Sequence, residues 1–492
     1  MSLKMSKVLR HKALEFLMSR KNSENLMEIL KHFESGSDMH ACVLSLELIF
    51  VNLLRQNALY IEIVPLKTVE SNDENNYKQW LRANYENTWI KLLGCLENPS
   101  DKLQLQALSS CFNLLAAEGK HPLEIKTNLE SYLPINRLKL MLMKVLSSKQ
   151  HGGTIISKFE EYFVYDDVLF SIWKALPSLT AKSNPNDVYI LNYLMLLEKL
   201  PFKPIPTPEG IKLLCFSEKI PFNYDEQIVK RCLNKIWNCM VLWEHNQSTH
   251  KQLLIVLLEK LLPHLDKPLL LTDFLMDSLD VGGPVSLLAL QGVFTLIQEY
   301  NLEYPNIFAK LYSMFEPEIF HTKFKARLFY LSDIFLSSTH LPENLVAAFA
   351  KRLARLALIA PSEDIMVICM FIGNLILRHP GLKCLLNHPA GSSTGNDPYI
   401  MEERDPLKSN AINSSLWEIL SLQQHALPCV ATAARFISNP LPSVEWDLGN
   451  VLDTTVDTIF DREIKKNGKL LALAFEKDFA GKCDKIEQYW KF

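Results

Sequence analysis

The chain contains 492 residues, of which 48% are hydrophobic and 22% are charged. This much apolar material suffices for a large buried core and argues against intrinsic disorder. Its 52 basic and 55 acidic residues leave a formal net charge of −3. A charge so close to zero excludes a protein whose overall field draws it to nucleic acid or to anionic lipid. Any contact with RNA must therefore come from a local basic patch or through a partner.

The cysteines and the apolar runs indicate in which cellular compartment the protein is found. The ten cysteines form no CxxC pair, and most lie among apolar neighbours, a pattern typical of reduced, intracellular proteins. Residues 1–18 carry a charge every few positions and contain no apolar run long enough for a secretory signal. The most apolar run, Ile365 to Leu377, is shorter than the roughly 18 residues of a membrane span. We therefore predict a buried helix there, although hydropathy alone would label it transmembrane.

Apolar residues recur at helical spacing almost throughout the chain. Strand signals are nearly absent, and the best alternating run is Ile61 to Val64. The pattern repeats as two helices joined by a short polar turn and ended by Gly or Pro. These helix pairs recur roughly every 35 to 50 residues. We therefore predict an all-α fold, a degenerate HEAT- or armadillo-like helical-repeat solenoid. One representative helix face consists of Leu81, Tyr85, Trp89, Leu92 and Leu96.

Three segments interrupt the helical pattern. The run 71–77 (SNDENNY) is predicted as a loop, and the prolines in 201–208 (PFKPIPTP) exclude a helix and predict a rigid, extended connector. The stretch 387–410 is the longest non-helical one, and a loop of that length inside a compact domain is either functional or disordered. After it, Ser415 and Glu418 have the spacing of a capping box, which predicts the start of a helix.

Motifs for enzymatic chemistry are almost absent. No Walker A loop, GxGxxG, HExxH or EF-hand sequence occurs. His379, Cys384 and His388 have no fourth ligand nearby and do not have the spacing of a zinc site. The paired acids Asp166 and Asp167 are interpreted as a solvated face or a cap. We therefore predict that the protein is not an enzyme and requires no cofactor, metal or small-molecule substrate.

Two small basic clusters are the candidate contacts for RNA or for an acidic partner. Lys351, Arg352 and Arg355 lie on one side of a predicted helix, where spacing of three and four residues makes charges neighbours. Such a patch fits contacts with RNA phosphates or an acidic protein, and it equally fits an ordinary solvated face. The aromatic residues beside the second cluster fit a helix interior better than a stacking platform. That cluster comprises Lys323, Lys325 and Arg327.

The second half of the chain resembles a known family. The run from Asn301 to Pro380, with DPYIMEERDP at 397–406 and SSLWEILSLQQHALPCVATAARFI at 414–437, is similar to the CBF domain of the CBF/MAK-type nucleolar family. The resemblance covers about residues 285–465 and is weak before them. One departure is the QHALP run at 424–428, where members often carry His-Tyr-His-Pro. Motif positions include Tyr304, Tyr312, Arg327, Tyr330, Phe349, Arg352, Arg355, Asn374, Arg378, His379, Asp397, Tyr399, Trp417 and Glu418.

The resemblance implies a function. Members are helical-repeat scaffolds without catalysis, so it implies a nuclear, nucleolar protein of small-subunit (40S) maturation and pre-rRNA processing within the small-subunit processome. It also implies an obligate partner of the nucleolar protein fourteen type, bound by the CBF domain, and association with the pre-ribosomal particle, with direct or indirect contact to pre-rRNA. The alternative function is a HEAT-type nuclear transport receptor or adaptor, although such solenoids are usually strongly acidic and this chain is nearly neutral.

The same reasoning divides the chain into four parts. We expect an N-terminal helical-repeat region at 1–200, a Pro-rich connector with middle helices at 201–284, a CBF domain at 285–465 that contains the loop 387–410, and a C-terminal tail or helix at 466–492.

The segment 397–406 is the candidate interaction site. It is too long for a plain connector, so we expect it to dock onto the solenoid or onto a partner. In that arrangement Tyr399 is an aromatic anchor and the acidic residues face basic ones. The predicted partner-binding residues are Asp397, Pro398, Tyr399, Glu402, Glu403, Asp405, Lys351, Arg352, Arg355 and Arg327.

Overall fold

The computed structural model describes residues 2–36, 38–61, 73–124, 133–147, 149–202, 212–215, 224–302, 304, 306–386 and 397–465. Every regular element within these residues is helical, and none of them forms a strand. The predicted all-α, helical-repeat fold is therefore confirmed for the described part of the chain. The chain forms two compact units, unit 1 at Met1–Phe274 and unit 2 at Leu275–Phe492.

Unit 1 is built from helices that pack against near neighbours in the chain. Their bounds are α1 (Ser2–Met18), α2 (Ser23–Glu34), α3 (Met39–Arg55), α4 (Asp73–Cys95), α5 (Asp101–Lys120), α6 (Ile135–Val145), α7 (Gly153–Glu160), α8 (Asp166–Leu179), α9 (Asp187–Lys199), α10 (Glu226–Met240) and α11 (Gln247–Val256). The first helix packs on the second and third, α4 packs on α5, and α8 packs on α6 and α10. This pattern of local pairing is typical of helical-repeat proteins.

The helix face predicted in α4 is buried. Tyr85 and Trp89 have almost no exposed surface, and they pack toward α5. The helix begins at Asp73, so residues 73–77 of the predicted loop are helical and that prediction is wrong for them. Asp73 and Glu74 occupy the first turn, where negative charge is favourable beside the positive end of the helix dipole.

A buried carboxylate joins three helices of unit 1. The Tyr85 hydroxyl donates to Glu118 Oε2 at 2.7 Å, and Arg137 Nε lies 3.4 Å from the same oxygen. The Arg137 guanidinium also pairs with Glu86 and lies over the rings of Tyr85 and Trp89. Burial raises the pKa of Glu118, and the charge of Arg137 opposes that rise. A polar network thus fixes α4, α5 and α6 in addition to apolar packing.

A second pair of buried acids holds the segment 212–215. Asp166 and Asp167 are buried at the start of α8, which corrects the interpretation of the pair as a solvated face. Backbone N–H groups of the segment donate to Asp166 Oδ2 at 3.1 Å and to Asp167 Oδ2 at 2.8 Å. Gly119 permits this approach, because a Cβ there would lie 2.6 Å from Cys215 Cβ. The carboxylates therefore supply the partners that an irregular backbone requires.

Unit 2 is centred on two long, buried helices. Its helices are α12 (Thr272–Asp280, which spans the boundary between the units), α13 (Gly283–Tyr300), α14 (Ile307–Ser313), α15 (Lys325–Phe335), α16 (Glu343–Ala357), α17 (Ser362–Arg378), α18 (Trp417–Leu422), α19 (Pro428–Ala434) and α20 (Leu448–Leu452). Helices α16 and α17 pack on each other, α18 packs on α16, and α19 and α20 pack on α17.

The apolar run of α17 is a core helix of unit 2. Most of its residues between Ile365 and Ile376 are buried, as predicted. Within the described ranges, no helix combines the length and the apolar character that crossing a membrane requires.

A buried amide joins α17 to the segment before α20. Asn374 Nδ2 donates to Trp446 O at 2.9 Å, and the Trp446 N–H donates to Asn374 Oδ1 at 2.8 Å. The indole lies directly on Gly373, where an added Cβ would be 2.5 Å from Trp446 Cζ3. One helical turn after Asn374, Arg378 Nη2 pairs with Glu445 Oε2 at a distance of 2.6 Å. Three consecutive contacts thus hold this irregular segment on the helix.

Several predicted features fall outside the described residues. They are most of the alternating run from 62, the proline-rich connector from 203, residues 387–396 of the long loop, which contain His388, and the tail at 466–492. His379 is buried, and its Nε2 hydrogen-bonds Leu336 O at 3.2 Å. No cluster of His, Cys, Asp or Glu in the described residues is arranged to hold a metal ion. The predicted domain boundaries remain predictions.

Replacing Gly373 tests the contact with Trp446. We expect Gly373→Ala to lower the free energy of unfolding of unit 2 by about 1–3 kcal/mol, because the new methyl group displaces the indole from α17. Calorimetry of the full-length protein measures the change. Gly94→Ala is the matched control, since an added Cβ in α4 meets nothing within 4 Å. That variant should gain up to about 1 kcal/mol, and equal melting temperatures for the two variants would argue against the close contact.

Candidate interaction site

Residues 397–418, here called the strap, pack along α16. The first anchor is Tyr399, whose hydroxyl shares a 2.8 Å hydrogen bond with the hydroxyl of Tyr312 on α14. The Tyr399 ring is buried, and burial raises the pKa of its phenol, so the anchor is uncharged. The strap continues through 3-10 turns at Pro406–Lys408 and Ala411–Asn413 into α18. The segment therefore docks on helices of its own chain.

Lys351 lies at the centre of the contact between the strap and α16. Its side chain has no exposed surface, and its ammonium lies 2.9 Å from Asp397 Oδ2 and 2.7 Å from Glu418 Oε1. The same nitrogen donates to Ser415 O at 2.6 Å. An ammonium has three protons, and three acceptor groups face this one: the Asp397 carboxylate, the Ser415 carbonyl and the Glu418 carboxylate, whose Oε2 accepts a hydrogen bond at 2.9 Å. These bonds offset the desolvation cost of burying the charge.

Arg355, one turn after Lys351, completes a cluster of two cations and two carboxylates. Its Nη2 lies 2.6 Å from Asp397 Oδ2, and its Nε lies 2.7 Å from Glu418 Oε1. Burial by itself raises the pKa of Asp397, but hydrogen bonds from neighbouring side chains, led by that from Ser414, hold the pKa well below its usual value. Burial raises the pKa of Glu418, and the Lys351 charge opposes the rise.

Arg352 attaches the strap through backbone carbonyls. Its Nε donates to Phe315 O at 2.7 Å, and its Nη1 donates to Met401 O at 3.0 Å. The guanidinium also lies over the ring of Tyr312, 4.6 Å from the centroid. Because a guanidinium offers five donors in a fixed plane, this side chain links α16, the turn after α14 and the strap at once.

The basic cluster of α16 is therefore not the exposed face that its spacing predicted. Lys351 is fully buried, and Arg352 and Arg355 bind groups of the same chain. Spacing places charges on one side of a helix, but it does not say what covers that side. Sequence reasoning also missed Glu418, because its spacing from Ser415 indicates a capping box. Helix α18 instead begins without a side-chain cap, and no local signal identifies the distant partner of Glu418.

The other acidic residues of the strap do not face the cations of α16. Glu402 is exposed, and so is Pro398, the uncharged residue predicted with this group. Glu403 accepts a hydrogen bond from the backbone N–H of Asp405 at 3.1 Å, and Asp405 caps the 3-10 turn that follows it. Of the predicted acidic group, Asp397 alone makes the expected contact with the basic cluster.

Arg327 lies on a different helix, α15, apart from the ion-pair cluster. It is exposed and donates a hydrogen bond to Gln291 of α13. Its predicted neighbour Lys325 pairs instead with Glu363 at the start of α17, with the two charged atoms 2.8 Å apart. Arg327 therefore shares the outer face of α15 with the exposed Tyr330, three residues on, rather than with a lysine cluster.

The outward side of α18 exposes apolar side chains, one of which is held in place by contacts with Asp397 and Arg355. Trp417 Nε1 donates to Asp397 Oδ2 at 2.9 Å, and the Arg355 guanidinium lies 4.8 Å from the Trp417 ring centroid. The tryptophan is nevertheless 38% exposed, and Leu420, one turn on, is 53% exposed. Half-exposed, rigidly held tryptophan is the residue type that most often dominates protein interfaces. We call this pair the Trp417–Leu420 surface.

Replacing Lys351 tests the ion-pair cluster. We expect Lys351→Met to cost about 3–5 kcal/mol of unfolding free energy, because the buried Glu418 and the partly buried Asp397 then lose the ammonium. Lys408→Met is the matched control, since its ion pair with Asp405 is exposed and such pairs contribute about 0–1 kcal/mol. Urea denaturation followed by circular dichroism measures both variants. Similar losses in the two proteins would contradict the central role of Lys351.

Two family models match separate parts of the chain. The model of the CBF/Mak21 family matches residues 286–434, which include α16, α17 and the strap. A model described as nucleolar complex protein 4-like, TPR repeats, matches residues 10–184 of unit 1. TPR repeats are stacked helix pairs, the same kind of unit as the HEAT- or armadillo-like pairs predicted from the sequence.

Relatives of known name match nearly the whole chain. Nucleolar complex protein 4 homolog B of Xenopus laevis is 38% identical, over 94% of this chain and 90% of its own length. Nucleolar complex protein 4 homolog of Gallus gallus is 34% identical over 94% of each chain. The homolog of Homo sapiens is 35% identical, over 92% of this chain and 90% of its own length.

These matches reach beyond the motifs seen in the sequence. They confirm the resemblance over the CBF domain and extend it into unit 1, where the sequence alone carried no recognised motif. They assign the protein to the nucleolus and to ribosome biogenesis, as that resemblance implied. The chain belongs to the CBF/Mak21 family and, within it, to the nucleolar complex protein 4 homologues.

Proposed function

We propose that the protein is a non-catalytic scaffold for assembly of the small (40S) ribosomal subunit and for pre-rRNA processing within the small-subunit processome. It acts as a heterodimer with a nucleolar protein fourteen-type partner and joins the pre-ribosomal particle in that form. Family membership supports this function and gives no support to the alternative of a nuclear transport receptor or adaptor. Helical-repeat units also offer extended surfaces suited to holding other macromolecules.

The observation that carries the proposal is the Trp417–Leu420 surface. The ion pairs beneath it fix the indole before any partner arrives, so binding costs little side-chain entropy. Leu420 extends the apolar area, and the exposed Leu407 of the strap adds a further apolar side chain in the same segment of the chain. We propose that an apolar face of the partner covers this surface.

The role proposed for the predicted site residues changes accordingly. Lys351, Arg352 and Arg355 position the strap, and Asp397 orients the tryptophan, so these residues support the interface from beneath. Glu402 and Pro398 are exposed on the strap and are proposed contacts at its edge. Arg327 remains a proposed contact on the separate face of α15, beside Tyr330.

A single charge on the Trp417–Leu420 surface should disrupt the heterodimer. We expect Leu420→Glu to weaken binding of the nucleolar protein fourteen-type partner by about 2 kcal/mol, close to thirtyfold in Kd, because the carboxylate would be buried in an apolar contact. Calorimetric titration of the purified proteins measures the affinity. Sedimentation of tagged protein then measures the fraction carried by small-subunit precursor particles, which should fall in parallel.

Val444→Glu is the matched control for this variant. Val444 is also an exposed apolar residue of unit 2, at 74% exposure, and lies outside the strap and α18. It should bind the partner as the unchanged protein does. Partner binding by Leu420→Glu at full strength would refute the proposed surface, and intact sedimentation with precursor particles would refute its role in their assembly.

A further inference from the structure

Two helices of unit 1 lie side by side and run in the same direction. At one end, the ring of Phe170 in α8 lies 5.4 Å from that of Tyr224, which precedes α10. At the other end, Trp243 Nε1, just beyond α10, donates to Ala181 O, just beyond α8, at 2.9 Å. The two helices therefore present parallel rows of outward side chains.

The outward rows of α8 and α10 carry three cations. Lys174 of α8 and Arg231 and Lys235 of α10 are all exposed. The Lys174 ammonium lies 4.1 Å from the ring centroid of Phe170, which restricts where it moves. Burial raises the pKa of the Cys232 thiol on α10, and the charges of Lys235 and Lys174 oppose that rise. We call this surface the α8–α10 basic face.

Lys174, Arg231 and Lys235 have no carboxylate partner within the described part of the chain, whereas Lys230 of α10 pairs with Glu226 at 2.9 Å. Lys91 pairs with Glu34 at 2.6 Å, and Lys199 pairs with Glu160 at 2.5 Å. Three unpaired cations thus lie on two adjacent helices, whereas Lys91 and Lys199 are each neutralised by a carboxylate.

The electrostatic fields of Lys174, Arg231 and Lys235 overlap. One helical turn separates Arg231 from Lys235, a rise of about 5.4 to 6 Å, and packed helices lie about 8–10 Å apart. These separations are close to the Debye length of about 8 Å at physiological ionic strength. Mutual repulsion of the three charges is therefore only partly screened, and a polyanion lying across both helices relieves it.

We propose that the α8–α10 basic face binds the phosphate backbone of RNA directly. Phosphate and sugar contacts are made by Arg and Lys with help from hydroxyl and amide side chains. Ser178 of α8 and Asn238 of α10 are exposed beside the cations and supply such groups. Neither helix exposes a large apolar side chain within its bounds, and Leu242, two residues beyond the end of α10, is 75% exposed. Cations with hydroxyl and amide groups beside them fit a phosphate backbone, and an acidic protein is the alternative that the test below distinguishes.

This inference goes beyond the proposed function, because pairing with a protein partner does not require the chain itself to touch RNA. It also concerns unit 1, whereas the proposed heterodimer surface lies in unit 2. An RNA-binding measurement on the chain alone is therefore independent of the heterodimer, and the two proposals fail separately.

Charge reversal of the face tests the proposal. The full-length variant Lys174→Glu/Arg231→Glu/Lys235→Glu is titrated against a labelled single-stranded oligouridine of about 20 nucleotides, with fluorescence anisotropy read at several KCl concentrations. We expect affinity at low salt to fall at least about tenfold. The slope of log K against log salt should flatten by about 2, since each lost phosphate contact removes about 0.7.

The matched control reverses three exposed lysines on other parts of the chain. Lys21→Glu/Lys102→Glu/Lys383→Glu makes the same change in net charge and should keep the salt slope of the unchanged protein. The neutral variant Lys174→Gln/Arg231→Gln/Lys235→Gln repeats the test without new repulsion and covers the case in which charge reversal prevents folding. Circular dichroism verifies that each variant is helical.

Four results would overturn the proposal. The first is no RNA binding by the unchanged protein, and the second is an unchanged affinity and slope in the neutral variant. The third is an equal loss in the control, which would show that net charge alone decides binding. The fourth is a loss of binding to poly-glutamate, titrated in parallel, while RNA binding is intact, which would indicate that the face binds an acidic protein. A flatter salt slope confined to variants of the face supports it.

Discussion

The buried ammonium of Lys351 is the constraint on which the arrangement of unit 2 depends. A charge with no exposed surface is tolerated only when its protons are satisfied, and the two carboxylates and the carbonyl that satisfy them all belong to the strap. Asp397 stands at the beginning of that segment and Glu418 at its end. The requirement of one side chain on α16 therefore fixes both ends of a long irregular segment.

The same physical logic recurs wherever an irregular segment meets a helix. Asn374 exchanges two hydrogen bonds with the backbone of Trp446, and the Asp166–Asp167 pair accepts backbone N–H groups of 212–215. Loop backbone has donors and acceptors that no helix satisfies, and burial without partners is costly. A small number of buried polar side chains meets that need, and the glycines at 119 and 373 give the segments room to approach.

The outer surface of each unit depends on whether its cations are paired with carboxylates of the same chain. On the strap side, the cations and carboxylates neutralise one another, and what faces outward is apolar, the Trp417–Leu420 surface. On α8 and α10, Lys174, Arg231 and Lys235 have no such partner among the residues that the structure describes, and they face outward. An apolar surface suits a protein and a positive one suits a nucleic acid, and for this reason we propose that the two units bind different classes of macromolecule.

The sequence by itself determined the helices, because apolar spacing is a local property that each helix carries within its own residues. It determined the burial of Trp89 and of the apolar run in α17, and its motifs determined the family. Only the tertiary structure decided the role of each charge. Lys351 and Lys235 look alike in sequence, yet Lys351 is buried between carboxylates, whereas Lys235 faces outward with no partner among the described residues. That difference depends on whether the strap, which begins 46 residues after Lys351, folds over the helix, and local spacing contains no information about it.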